Sequence, residues 1–571
     1  AVTTGIRNVI VGGLAGDALT DADYNVAMGY ASLSTDTLGS RSTAIGFGAL
    51  ENQNFTTATD VYNVAVGFSA GNNATTGVQN VLIGGKAGDA LTTGDGVVAV
   101  GFEALMTEDG NGNSVAVGRQ ALRTQNAGAE AYNVAVGNGA GFNVTTGIKN
   151  TLIGSLAGDA MTDSDRNVAV GYGALSSDTL GSRSTAIGDG ALTTQNFTTA
   201  TSSYNVAVGH SAGESVTTGE RNTLIGSLAG DAMTVAPNNT AVGYDALGAN
   251  TTGGGNVGLG YQALTTMNVT NTSDTFNTGV GFRAGRLVTT GIQNTLIGAA
   301  AGDALTDADA NVAVGYLALS ADTLGSNSVA VGMNALQAQN FTTATSAYNT
   351  GVGQNAGAEV TTGVKNTFIG GLTGDAITSG TLNTAVGSSA LTGDTLGSKT
   401  TAIGEGALAV QNFTTATDAF NVALGYQAGV AVTTGVQNTL IGATAGLFVT
   451  TGTNNIIIGY LAGAHATSLS TGGNNTLVGT FSDTSSVDTN AAVILGYNVT
   501  GEGGYTTLGD STNEIRAAHG NVTWATVSDQ RYKKDIVDST TGLSFINALQ
   551  PRTFKYKTLG ELPETFRAYE A

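Results

Sequence analysis

The sequence predicts an all-β chain, a parallel β-solenoid of about 28 stacked coils. Three observations carry this. A short apolar motif ending in glycine recurs along almost the whole chain. Its commonest spacing is 17 residues, about half of what a helical hairpin repeat needs. Each motif is a run of four or five apolar, often β-branched residues bounded by Gly and polar turns, which reads as a strand.

The motif is Asn-x-(Ala/Leu)-(Val/Ile)-Gly, and 28 glycines carry it, from Gly12 to Gly496. A longer step, usually of 21 residues, comes every fourth time, so four coils make a superrepeat. Gly67, Gly137, Gly209, Gly281, Gly353 and Gly425 are 70, 72, 72, 72 and 72 residues apart. The long steps hold an insert such as Gln195-Asn196-Phe197-Thr198-Thr199-Ala200-Thr201, which recurs at Gln53, Gln339 and Gln411. At ~4.8 Å per coil the rod would be about 130 Å long.

Each position of the motif has a stacking role. The residue before Gly is Val, Ile, Leu or Met in all 28 coils and is expected to point into the coil's own core. The residue before that then faces the other way. It is apolar too, as in Ala27, Leu82, Ala169, Leu224, Phe368 and Leu440. A strand apolar on both faces is buried on both. A second surface is therefore expected, most simply another copy of the chain, and periodicity leaves the number of copies open. The fourth residue before Gly is Asn in 21 coils and Ser in four (Ser42, Ser114, Ser184, Ser328). Stacked Asn side chains can form a hydrogen-bonded ladder. The invariant Gly marks positive φ or close backbone approach. The pairs Asn25/Gly29, Asn167/Gly171 and Asn311/Gly315 are thus expected to be structural repeat positions.

Composition narrows the functional classes. The 571 residues include 85 Gly, 3 Pro, no Cys and one Trp, with 11% charged and 41% apolar residues. Gly without a G-X-Y period is not collagen, and the apolar content argues against a disordered chain. A net charge of −21 makes nucleic acid an unsuitable partner. No apolar run approaches the roughly 20 residues of a membrane span. Ala1-Val2-Thr3-Thr4-Gly5 matches the interior Val144-Thr145-Thr146-Gly147, so the chain is expected to start mid-repeat, with an N-terminal part preceding it.

Candidate sites in the repeat are few. Asp17, Asp89, Asp159, Asp231, Asp303 and Asp375 recur once per superrepeat, four coils or ~19 Å apart, too far for two to share a metal within one chain. A turn is the preferred reading over calcium ligation. His210 sits where an aromatic residue or Asn usually follows the repeat Gly, which makes it a surface substitution, and His465 and His519 lack ligand-spaced partners. No cofactor or metal is expected. Phe55, Phe197, Phe341 and Phe413 in the inserts could form exposed bands for glycan contact, but packing against a neighbouring subunit is preferred. No pair of carboxylates stands out for polysaccharide cleavage.

Two resemblances bear on function. Ser42-Thr43-Ala44-Ile45-Gly46 and Asn113-Ser114-Val115-Ala116-Val117-Gly118 resemble the head repeats of YadA-type trimeric autotransporter adhesins over roughly residues 1–500. That resemblance implies a left-handed β-roll and a homotrimer. The family's coil is shorter than 17 residues, so the extra residues should lengthen a loop or outer strand.

After Gly496 the period fades, with a last degenerate coil at Thr507-Leu508-Gly509, and Lys and Arg become dense. Ser528-Asp529-Gln530-Arg531-Tyr532-Lys533-Lys534-Asp535-Ile536 is followed by Leu549-Gln550-Pro551-Arg552-Thr553-Phe554-Lys555-Tyr556-Lys557. This two-part pattern resembles the opening of the intramolecular chaperone domain of bacteriophage tail spikes and tail fibres. In that family the domain trimerises, guides folding of the β-structure before it, and often cuts itself off near the Ser-Asp pair. By position the resemblance makes Ser528 the nucleophile and Lys533 the base, with Asp529 in the cleavage pair. A lysine of depressed pKa can serve as such a base. The residues alone also allow a turn or cap at Ser528-Asp529 and a solvated Lys533.

The expected organisation is a repeat shaft over 1–509, a transition over 510–527, and the start of a chaperone over 528–571, a short mixed segment. The resemblances imply a homotrimeric, host-attaching virion fibre, made in the host cytoplasm and then extracellular. Apart from single-turnover self-cleavage it would be no enzyme. Its partners would be its own copies, a host cell-surface receptor of glycan type, and other tail proteins through the preceding N-terminal part. A bacterial trimeric adhesin and a tail-spike depolymerase are the rival readings.

Overall fold

A computed structural model describes residues 2–521 and the backbone of Ala525–Thr526. Among the described residues there is no helix; the chain is a parallel β-solenoid. Each of the 28 repeat glycines closes a short strand, and these 28 strands form one sheet in chain order. Register is in step with the motif: Val26 pairs with Thr43, Ala27 with Ala44 and Met28 with Ile45. The parallel stack continues to the strand Tyr505–Asp510, on which Asn513–Ala518 turns back antiparallel. Two-residue strands pair where the inserts leave the coil, for example Gly181–Ser182 with Thr201–Ser202.

The orientation of the strand is the reverse of the expectation. The residue two before Gly lies inside and the residue just before Gly lies outside. Ala27 is fully buried, whereas Met28 is 39% exposed. The cause is the narrow cross-section. The interior is shared with a Leu four residues past the repeat Gly, such as Leu33, Leu50 or Leu175, so the strand contributes only Ala at those levels. Where a strand does place a Leu inside, glycines take the facing corner. A Cβ on Gly71 would lie 2.5 Å from a methyl carbon of Leu82, and one on Gly88 2.8 Å. Apolar residues on both faces therefore remain, but it is Val and Ile that look outward.

The repeat glycines are required by geometry. Gly171 has φ +140°, and a Cβ there would come 2.2 Å from the Gly188 carbonyl oxygen of the next coil. The same holds at Gly29 (2.3 Å from Gly46 O) and Gly315 (2.5 Å from Gly332 O). Other corners of each coil are left-handed without needing Gly, for example Arg166, Leu175 and Ser211.

The asparagine ladder runs from side chain to backbone. Asn167 Oδ1 accepts the Ser184 N–H (2.8 Å), Nδ2 donates to the Gly181 carbonyl (2.9 Å), and its own N–H donates to Asn150 Oδ1 (2.9 Å). Asn25 makes the same bonds to Ser42, Gly39 and Asn8, and Asn311 to Ser328, Gly325 and Asn294. Each side chain thus satisfies buried backbone groups that the sheet leaves over.

Candidate functional site

Two features rise above the repeat background. The first is the outer surface of the main sheet. Two columns line it, one just before the repeat Gly (Met28, Ile45, Val66) and one three before it (Val26, Thr43, Val64). The first column is apolar throughout and the second is Val, Ile or Thr, so together they form a largely apolar strip down the rod. Aromatic residues flank it. In the column after Gly, Tyr30, Phe47 and Phe68 stack at 5.3 and 5.4 Å between ring centroids, as do Tyr244, Tyr261 and Phe282 at 5.5 and 5.4 Å. In the column five before Gly, Arg41 lies 5.1 Å from the ring centre of Tyr24 and 5.6 Å from that of Tyr62. A continuous apolar surface of this extent is the mark of an interaction site.

The second feature is a set of buried carboxylates, which sequence reading missed. Asp178 lies inside the rod and has no cation beside it. Its Oδ1 accepts the Gly181 and Phe197 N–H groups (3.0 and 3.2 Å), and its Oδ2 accepts Gln195 Nε2 (2.5 Å). Gln195 also accepts Asn205 Nδ2 (2.8 Å). Burial pushes the Asp178 carboxyl above its ordinary value of 3.8, against the pull of these hydrogen bonds; Asp394 is shifted the same way for the same reason. The arrangement repeats as Asp36–Gln53, Glu108–Gln125, Asp322–Gln339 and Asp394–Gln411. In the remaining superrepeat both partners change: Asn250 caps its own turn at Gly253, and Met267 replaces the Gln. The signal was available in the sequence as a Gln exactly one coil after an acid seven residues past the Gly. These pairs are sealed from solvent and hold the insert turn in place.

The insert phenylalanines correct another expectation. Phe55, Phe197, Phe341 and Phe413 are only 5–6% exposed, covered by their own chain. The insert folds back over the coil: a Cβ on Gly325 would lie 2.7 Å from the Phe341 ring. They are neither a glycan band nor a contact with a neighbour. The Gly-Asp-Ala aspartates sit at turns, part-buried except for the exposed Asp17. Asp303 pairs with Arg286 at 3.1 Å, and Asp375 accepts the Thr392 hydroxyl. Among the described residues no three His, Cys, Asp or Glu side chains converge as a metal site. His210 is exposed, and His465 packs on Phe481 at 4.5 Å. Ser528, Asp529 and Lys533 lie outside the described residues.

No curated protein matches the chain. Residues 528–567 match the family described as chaperone of endosialidase. A long β-solenoid followed by such a segment fits a phage tail fibre or tail spike that carries an intramolecular chaperone.

Proposed function

We propose that the chain is the shaft of a homotrimeric phage tail fibre that serves host attachment, folded with the help of its C-terminal chaperone segment. The observation that carries the reading is the outward Val/Ile strip, which runs the length of a rod whose C-terminal residues match a chaperone family. Left in water, each half-exposed Ile forgoes on the order of 1 kcal/mol of burial. A second and third copy, related along the rod axis, would cover the strip coil by coil with no change of register. Parallel in-register stacking over 28 coils forms slowly, because many near-identical registers compete. A segment that gathers three chains before the shaft zips up removes that ambiguity. The repeat's likeness to YadA-type heads supports the trimer and a left-handed coil.

In the chaperone segment Ser528 acts as nucleophile and Lys533 as the base that takes its proton, with one cut per chain beside Ser528-Asp529. Apart from that cut the chain is not an enzyme. The fibre works outside the cell as part of the virion, binding a host surface glycan and joining other tail proteins.

Expression of the full-length protein tests this. The expected result is a trimeric shaft and a released chaperone fragment, with Ser528→Ala leaving the chain whole. Equal cleavage in Ser528→Ala refutes the dyad, and a monomeric shaft refutes the assembly.

A further inference from the structure

The column two residues past the repeat glycine is a left-handed corner whose side chains stand outward along one flank of the rod. Most coils carry Leu, Gln, Ser or another side chain there. In only one place do two successive coils both carry glycine, at Gly173 and Gly190. The missing side chains leave a trough of about 510 Å³. That lies within the roughly 300–1,000 Å³ typical of small-ligand sites.

The walls of the trough combine an aromatic ring with carboxylates. On one side stands Tyr172, 61% exposed, with Asp189 one coil further along, ~4.8 Å away by the stacking rise. In this column two groups of aromatic rings stack on one another, whereas Tyr172, like Phe102, Tyr316 and Tyr426, has no ring stacked on it among the described residues. Its face is open to a ligand. On the other side are Asp159 and Glu214. Asp159 Oδ1 is buried and takes no hydrogen bond from any other residue, although the equivalent Asp303 is paired with Arg286. A buried carboxylate oxygen with no donor beyond its own backbone is costly to leave so. Burial also raises the Asp159 carboxyl above its ordinary value. No Lys or Arg lines the trough, and His210 is its one basic side chain.

An aromatic face beside three carboxylates, over a floor lined by the short side chains of Ser176, Thr193 and Ser211, suits a sugar ring that brings donors and positive charge. The C–H face of a pyranose packs on Tyr172, hydroxyls donate to carboxylates, and an ammonium gains both charge-assisted hydrogen bonds and the ring's negative face. An acidic sugar would meet three like charges. We propose that the trough over Gly173 and Gly190 is a saccharide site for an amino-sugar oligomer laid along the rod, one ring on Tyr172 with its donors to Asp189, and neighbouring units reaching Asp159 and Glu214, which stand three coils or ~14 Å apart. Naming a host surface polysaccharide as its source rests on the attachment reading above.

The fold supplies a clean test. Leu156 and Gln120 occupy the same corner with φ of 58° and 59°, close to the 62° of Gly173 and 69° of Gly190. A Cβ on Gly173 would meet nothing nearer than 3.9 Å, and one on Gly190 nothing nearer than 3.4 Å. Gly173→Leu with Gly190→Gln therefore fills the trough with residues the coil already accepts. The full chain is titrated calorimetrically with a β-1,4-linked glucosamine tetramer, its N-acetylated form and a glucose tetramer, and is assayed for adsorption to host cells. Expected are binding of the glucosamine tetramer, at least tenfold weaker binding of the other two, and at least tenfold weakening in the filled variant. Tyr172→Ala should weaken it severalfold, and Ser389→Leu, the same corner far along the rod, should change nothing.

Unchanged affinity in the filled variant overturns the site, as does a changed oligomeric mass, which would mean that another copy covers the trough. Equal binding of the N-acetylated tetramer overturns the ligand class. No sugar binding with adsorption intact overturns the proposal but leaves the attachment reading standing; loss of both removes the two together.

Discussion

Replacing Gln195 by Met isolates what the buried acid–glutamine pair contributes. The substitution removes the 2.5 Å hydrogen bond from Gln195 to Asp178 and the 3.1 Å bond to Ser184. Asn205 keeps its 2.8 Å bond to the Gly219 carbonyl. Asp178 keeps two backbone donors on Oδ1, but its Oδ2 is left without its side-chain donor inside the rod. A hydrogen bond to a buried charged group stabilises by about 1.5–3 kcal/mol, so a local loss of about 2 kcal/mol is expected. That corresponds to roughly 30-fold faster hydrogen exchange at the Phe197 and Gly181 amides, the two that cap Asp178 Oδ1. Local exchange is the right assay, because a long repeat array does not unfold as one two-state unit. The chain itself contains the compensated form. Asn250 and Met267 occupy the equivalent positions, and there Asn277 Nδ2 lies 3.4 Å from the Met267 sulfur. Adding Asp178→Asn to Gln195→Met should therefore restore most of the lost protection. An unaltered exchange rate in the single variant, or a double variant worse than the single, would refute the reasoning.

Other perturbations have equally definite outcomes. Asn167→Ala strands the Ser184 N–H and the Gly181 carbonyl inside the rod, and should lower local stability by about 2–4 kcal/mol, read by exchange at Ser184. Gly188→Ala puts a Cβ 2.2 Å from the Gly209 carbonyl at φ +143°. It should cost at least about 3 kcal/mol and open the rod to proteolysis at that coil. The Asp178 and Asp394 carboxyls are raised in the folded rod, so the native state holds more protons than the unfolded chain just above pH 3.8. Their contribution to stability is then largest in acid and is lost as pH rises through the folded value. The coils around these residues should be better protected near pH 4 than at pH 7, and Asp178→Asn should flatten that dependence at its own coil.

Much of the rod was legible because the repeat is strict. The period excludes helical repeats, and the Gly column demands close approach, here to the carbonyl of the following coil. The sign of the strand was not legible. Alternation says that Ala27 and Met28 lie on opposite faces, but not which face is inside. Size was misleading, because the coil fills its interior from Leu33 and its counterparts at a corner, and leaves the strand room only for Ala. The insert phenylalanines misled for a related reason: Phe197 is covered by its own chain where the insert folds back on the neighbouring coil, which spacing cannot reveal. The acid–glutamine pairs were visible as a column, and the joint change to Asn250 and Met267 marks them as coupled within this one chain. The trough at Gly173 and Gly190 depends on which side chains are missing from one flank, and becomes visible only when the coils are stacked.

The central claim is that the outward Val/Ile strip is covered by further copies of the same chain. Sedimentation equilibrium of the purified chain tests it most directly. Three copies of the 56.7 kDa chain give a particle of about 170 kDa, and that mass, unchanged on dilution, is the expected result. A stable 56.7 kDa monomer with the same β-structure would contradict the account.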